Sequence, residues 1–262
     1  MFSFYGNKQR VELLERSKHW CFKRGLGDMF NKHYSNTELS IKSAIKPDVV
    51  DKTNRAVSDG NQYYALKDGY GIPLDKKLDD LFKHKEKGVF VDVGAHDGIN
   101  QSNTKYLEDK RKWNGILVTP NKDKYFECIK NRPNSISQQF ACVEPSYAEQ
   151  TIKGDFWKIS GSRDGNKNNT NRVETVPCST LTNILDLNTL DFNIKYSKNL
   201  ANQIDLINID TSTHSYEVLL GLDLDKYHPT YILIEILTGE YSKITDYLNT
   251  KGFELVSNFS SY

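Results

Sequence analysis

The chain has 262 residues, 37% of them hydrophobic and 26% charged, with a formal net charge of +1. This is a soluble globular composition, sized for one α/β domain with an added segment or for two small domains. It excludes a disordered chain and a global nucleic-acid footprint. No apolar run approaches the ~20 residues that span a bilayer, and the N-terminal Met-Phe-Ser-Phe-Tyr-Gly-Asn-Lys lacks the apolar core of a signal peptide.

The cysteines, Cys21, Cys128, Cys142 and Cys178, are far apart and form no CxxC pair. Zinc and a disulfide framework are both disfavoured, and reduced thiols in a cytoplasmic protein are expected. Residues 1–60 read as an N-terminal helical and irregular extension. Within it, 8–24 carries Val11, Leu13, Leu14, Trp20 and Phe22 among basic residues, a pattern that predicts an amphipathic helix packed on the main domain. Segment 31–61 is polar and weakly patterned.

Residues 61–262 read as the main domain. From 88 onward, short apolar, β-branched runs alternate with helical stretches. Strands are predicted at Val89–Val93, Gly115–Val118, Ser135–Val143, Ile204–Ile209 and Thr230–Ile236. Helices are predicted at about 103–112, 121–132, 179–187, 215–222 and 240–251. Strands alternating with helices imply βαβ units and a mostly parallel sheet with helices on both faces. Segment 153–175 breaks the rhythm: FWKIS suggests an extra strand, and SRDGNKNNTNR a basic, solvated loop. Phe156 and Trp157 beside that loop offer rings that can stack on a sugar or nucleotide.

The first of these strands ends in Asp92-Val93-Gly94-Ala95-His96-Asp97-Gly98. A glycine-rich turn after an acidic strand end is where open α/β sheets bind ligands. Its G-x-x-x-G spacing is neither the dinucleotide fingerprint nor a P-loop. A cofactor without a pyrophosphate, such as S-adenosylmethionine, suits it better.

The stretch GVFVDVGAHDGINQSNTKYLEDKRKWNGILVTPNKDKYFECIKNR and the later IDLINIDTSTHSYEVLLGLDLDKYHPTYILIEI resemble the FkbM-type S-adenosylmethionine-dependent methyltransferases. DGNQYYAL and PCSTLTNIL add to the resemblance, which covers roughly 58–257. It implies a Rossmann-like class I methyltransferase fold and S-adenosylmethionine as cofactor. It also implies O-methylation of a sugar, glycan or other small hydroxylated acceptor, with no nucleic acid as partner. Asp92, Gly94, Ala95, His96, Asp97 and Gly98 take the family's cofactor-turn positions. Ser102, with Asn103 and Thr104, matches a family SNT stretch opening the next helix, a cofactor-binding position whose amides face the cofactor carboxylate; the alternative role of Ser102 is capping.

Two family patterns are altered. Where the family has Glu before Pro-Asn, this chain has Thr119-Pro120-Asn121, so a carboxylate for the ribose hydroxyls becomes one neutral hydroxyl, with Asn121 as partial compensation. Where the family has I-D-x-E-G-x-E, this chain reads Ile209-Asp210-Thr211-Ser212-Thr213-His214-Ser215. Asp210 is retained as a cofactor contact and base candidate, and His214 is a second base candidate whose plainer role is a surface or capping histidine. Glu235 closes the last parallel strand, either touching substrate or in a rim salt bridge. With the carboxylates at 212 and 215 replaced by serine, no metal site is expected. The altered acids keep a second reading open: a catalytically impaired pseudo-methyltransferase serving as a binding or scaffold protein.

Overall fold

A computed structural model describes residues 18–25, 57–58, 61–68, 70–156, 173–211, 213–236, 238–257 and 259. In chain order the strands and helices begin with β1 (Lys18–Arg24), β2 (Val57–Ser58), β3 (Asn61–Gln62), α1 (Leu74–Leu81), β4 (Val89–Val93) and α2 (Lys105–Arg111). Next come β5 (Asn114–Val118), α3 (Lys122–Asn131), β6 (Ile136–Gln138), β7 (Ala141–Cys142), β8 (Thr151–Asp155) and β9 (Val173–Ser179). The last are α4 (Leu181–Tyr196), α5 (Leu200–Gln203), β10 (Leu206–Ile209), α6 (Ser215–Leu220), β11 (Tyr231–Ile236), α7 (Tyr241–Thr250) and β12 (Phe253–Leu255).

The main sheet has seven strands in the order β12-β1-β11-β10-β4-β5-β6. From β11 to β6 all neighbours run parallel, whereas β1 runs antiparallel to both β11 and β12. Every residue of β4 and β10 is buried, the pattern of strands covered on both faces. Val89, Val91 and Val93 pack on one face with Ile184 of α4, Val218 of α6 and Ile244 of α7. Phe90, pointing the other way, packs with Leu74 and Leu78 of α1, Leu107 of α2 and Cys128 of α3. The chain is therefore a mixed α/β protein whose large, mostly parallel sheet carries helices on both faces.

The N-terminal helix expected over 8–24 is corrected in its described part: Lys18–Arg24 is a strand, and 8–17 lie outside the described residues. Alternation gives the reason. Cys21 packs on one face of the sheet and Phe22 on the other, which a period of two allows and a helical stripe does not. Burial between β11 and β12 overrides the local helical pattern.

The run expected as one strand over 135–143 divides at Gln139-Phe140. Its first half joins the main sheet as β6, and its second, β7, pairs with β9 in a separate three-stranded sheet, β7-β9-β8. The fourth helix runs on to Tyr196, well past the expected 187. Of the expected FWKIS strand, Phe156 follows β8 and the rest lies outside the described residues.

Candidate active site

The parallel strands β4, β5, β10 and β11 all end at one edge of the sheet, and a cavity of about 640 Å³ opens there. Its position is the usual ligand crevice of such sheets, and its volume lies in the ~300–1,000 Å³ range of small-molecule sites.

The glycine turn forms one wall. Gly94 and Ala95 donate their amides to the carbonyl of Val118 at 3.0 and 3.1 Å, and Asp210 donates its amide to Val93 at 2.9 Å, so the turn is stitched to both flanking strands. Gly94 has φ of +90°, and a Cβ there would lie 2.0 Å from the Asp210 carbonyl oxygen. Only glycine meets both the left-handed backbone and the close approach.

Behind the turn lies a buried polar network. Asp92 accepts from Thr104 Oγ1 at 2.6 Å and from Asn208 Nδ2 at 2.8 Å, and Asn103 in turn donates to Asn208 at 3.1 Å. Burial raises the Asp92 pKa, and these hydrogen bonds only partly offset it. Arg132, fully buried, pairs with Glu108, donates to the Gly98 carbonyl at 3.0 Å and reaches Thr104 at 3.3 Å. It ties α2, α3 and the turn together.

The cavity also holds an ionisable cluster, which adjoins the turn through Asp210. His19 of β1 sits directly across from Glu235 of β11. Asp210 follows β10, whose Ile209 pairs with Ile234. His19 Nε2 donates to Asp210 Oδ2 at 3.0 Å, and Asp210 also hydrogen-bonds Glu235. Burial pulls the His19 pKa down, but the charge and hydrogen bond of Asp210, with the charge of Glu235, outweigh it and hold it above its ordinary value. Burial likewise pushes Asp210 up, and His19 followed by the Glu235 hydrogen bond brings it below the usual carboxylate range. One imidazole nitrogen and one oxygen from each carboxylate lie within 4.8 Å of one another, so this group can hold either a proton or a cation.

The cavity collects most of the residues expected from the sequence: Asp92, Gly94, Ala95, His96 and Ser102 after the first parallel strand, and Thr119, Asp210, His214 and Glu235 from the others. Three others stand outside its lining. Asp97 accepts the amides of Ile99 at 2.9 Å and Asn100 at 2.8 Å, closing the turn. Its pKa is held low, since His96 and those amides outweigh its burial. Gly98, with φ of +79°, packs on Arg132. Asn121 caps α3 by accepting from the Lys124 amide at 2.9 Å and donates to Glu174.

His214 occupies the N-cap position of α6 without a side-chain capping bond, and its exposed ring has Nδ1 2.9 Å from Thr213 Oγ1. Ser102 accepts the amide of Lys105 at 3.1 Å at the start of α2, so the capping role is occupied. Ser215 is buried against Thr211 at 3.3 Å, and Ser212 lies outside the described residues.

Sequence reasoning missed His19, Arg132 and Asn208. Arg132 and Asn208 carried no local signal. For His19 the signal was His-Trp-Cys-Phe bounded by Lys18 and Lys23, a short apolar run of strand length. The β8 strand and Phe156 add a wall of Ile152, Lys153, Asp155 and Phe156, with Phe140 nearby.

The family model described as the methyltransferase FkbM domain matches residues 92–255, more than half of the chain, and the protein belongs to that methyltransferase family. No similar curated protein and no similar solved structure was found. No helix among the described residues is long and apolar enough to cross a membrane.

Proposed function

We propose that this protein is an S-adenosylmethionine-dependent O-methyltransferase with a Rossmann-like domain, acting on a hydroxyl of a sugar, glycan or other small polyhydroxylated acceptor. The observation that carries this reading is one cavity lined by both the Gly94–His96 turn and the cluster of His19, Asp210 and Glu235. The first is a wall where backbone, not side chains, meets a ligand. The second is a set of ionisable groups in the same space.

When bound, the cofactor supplies an electrophilic methyl group. An acceptor hydroxyl attacking that methyl group would have to give up its proton to a base of the chain. Asp210, held ionised by His19, is the best placed acceptor of that proton. His214, at the exposed rim, is a second base candidate lining the cavity. Catalysis then rests on positioning two substrates in one enclosed space. Phe140 and Phe156 offer apolar rings for a sugar face, and Lys153 with Asp155 offers polar partners for hydroxyls. The free thiols Cys21, Cys128, Cys142 and Cys178 suit a reducing, cytoplasmic setting.

The donor set fits the cofactor in its turn and volume. It is weaker at Thr119, where a neutral hydroxyl replaces the family's carboxylate. Isothermal titration calorimetry with S-adenosylmethionine and S-adenosylhomocysteine tests the reading. Micromolar binding of both is expected. The absence of heat at high micromolar ligand would sink it, leaving a binding protein that keeps the fold. Transfer of a labelled methyl group to a panel of sugars and glycans then identifies the acceptor.

A further inference from the structure

We propose that His19, Asp210 and Glu235 form a binding site for one first-row divalent cation, Mn²⁺ or Zn²⁺, at the floor of the cavity. The inference deepens the methyltransferase reading of the same cavity, but it stands on its own geometry. Three backbone segments deliver the ligands. The β1–β11 register sets His19 opposite Glu235, and the residue that follows β10, Asp210, comes in beside Glu235. Two of the three ligands are thus fixed by strand register, and the third is anchored by the strand it follows.

The spacing suits a metal. Bonds of ~2.0–2.2 Å to nitrogen and oxygen put neighbouring ligand atoms ~3.0–3.5 Å apart. His19 Nε2 and Asp210 Oδ2 are already 3.0 Å apart, and all three donor atoms lie within 4.8 Å. A cation between them therefore needs the donor atoms to close by no more than ~1–2 Å.

Burial and charge point the same way. His19 is 6% and Glu235 2% exposed. Once freed of the proton they share through their hydrogen bond, the two neighbouring carboxyl groups would carry more negative charge than one imidazole balances. A divalent cation neutralises it. Asp210 retains 22% side-chain exposure, and it faces the cavity, so open coordination positions point to where an acceptor hydroxyl would sit. A cation there would polarise that hydroxyl and lower its pKa. One imidazole with two carboxylates selects a first-row ion over Mg²⁺ or Ca²⁺, which prefer all-oxygen sets.

No metal was expected from the sequence, in which positions 212 and 215 are serines; in the proposed site the third ligand comes from β1. The other cluster of this kind among the described residues, Asp79, Asp80 and His84, is mostly exposed, and Arg111 already holds Asp79 through two nitrogens. It serves as a control.

Titration of the full chain with MnCl₂, followed by electron paramagnetic resonance of free Mn²⁺ and by calorimetry, and with ZnCl₂ by calorimetry alone, tests the site. One equivalent per chain is expected. Asp210→Asn and Glu235→Gln, which preserve side-chain shape, should each weaken binding by ~100-fold or more, given that even outer-shell changes cost 10–100-fold. His19→Ala should do the same, and His84→Ala should change nothing. No stoichiometric binding to the wild-type chain, or binding lost in His84→Ala and kept in Asp210→Asn, would overturn the proposal. Circular dichroism melts confirm that each variant is folded, and the two shape-preserving variants decide the matter if His19→Ala is not. Metal binding without any cofactor heat would sink the methyltransferase reading and leave the metal site standing.

Discussion

His19 and Glu235 are cross-strand partners in the antiparallel pair of β1 and β11, and both face the cavity. A residue near the start of the chain thus completes a cluster whose other members lie at the ends of the last two parallel strands. The pairing makes β1 part of the site as well as part of the sheet, and it ties ligand binding to the docking of an N-terminal segment.

Phe22 measures how firmly that segment is docked. It is fully buried in the larger core cluster, beside the exposed Lys23. Phe22→Ala should cost about 3–5 kcal/mol by chemical denaturation, the usual range for emptying a buried aromatic site. Lys23→Ala should stay within about 0.5 kcal/mol. If Phe22→Ala cost no more than Lys23→Ala, β1 would not be an integral strand.

Arg132 supports the glycine turn through buried bonds to Glu108, the Gly98 carbonyl and Thr104. Arg132→Met should destabilise the protein by about 3–5 kcal/mol, because it strands the Glu108 carboxylate in the core. Adding Glu108→Gln should recover part of that loss, since the stranded charge is gone. A double-mutant cycle from urea melts reads the coupling. Equal losses in the single and double variants would show that the ion pair itself contributes nothing.

How much was legible follows from the range of the forces. β4, β10 and β11 could be read because strands buried on both faces must be apolar throughout, a purely local mark. The turn after β4 could be read because Gly94 is demanded by local backbone geometry as well as by close approach. β1 could not, since its partners lie near the other end of the chain and its flanks carry a helical pattern. Arg132 could not, since a charged residue next to a helix end is ordinarily solvated, and only the fold shows Glu108 waiting for it. Asp97, Gly98 and Asn121 were assigned by position in a motif. The structure gives them turn-closing, packing and capping contacts, which a motif does not distinguish from ligand contacts.

Asp75 should give stability a distinct pH dependence. It is buried at the start of α1, and burial lifts its pKa from 3.8 to about 6, despite amide bonds from Tyr64, Ala65 and Lys76. The folded state therefore holds this proton more tightly than the unfolded state. Its contribution is complete below about pH 4 and is lost as pH rises through about 6, by up to about 3 kcal/mol for a shift of this size. Asp75→Asn should flatten the fall in stability between about pH 4 and 6. Melting temperatures across that window check it, and an unchanged slope in the variant would assign the dependence to another group.

Thr119 offers the sharpest test of the proposed cofactor position. It is buried at the end of β5 and lines the cavity, while its amide is already bonded to the Gln138 carbonyl at 3.1 Å. A longer side chain there extends into open space without breaking a strand contact. In the FkbM-type pattern this position is a glutamate that accepts from both ribose hydroxyls, whereas threonine makes at most one neutral hydrogen bond. Restoring the charge-assisted, two-point contact should gain ~1–3 kcal/mol, so Thr119→Glu should tighten S-adenosylhomocysteine binding by about 5- to 150-fold. Thr119→Gln has the same length without the charge and should recover only a small part of the gain. Calorimetry on the three chains separates the effects. If the glutamate variant bound no better than the glutamine variant, charge at this position would not meet a ribose, and the cofactor would have to lie elsewhere in the cavity.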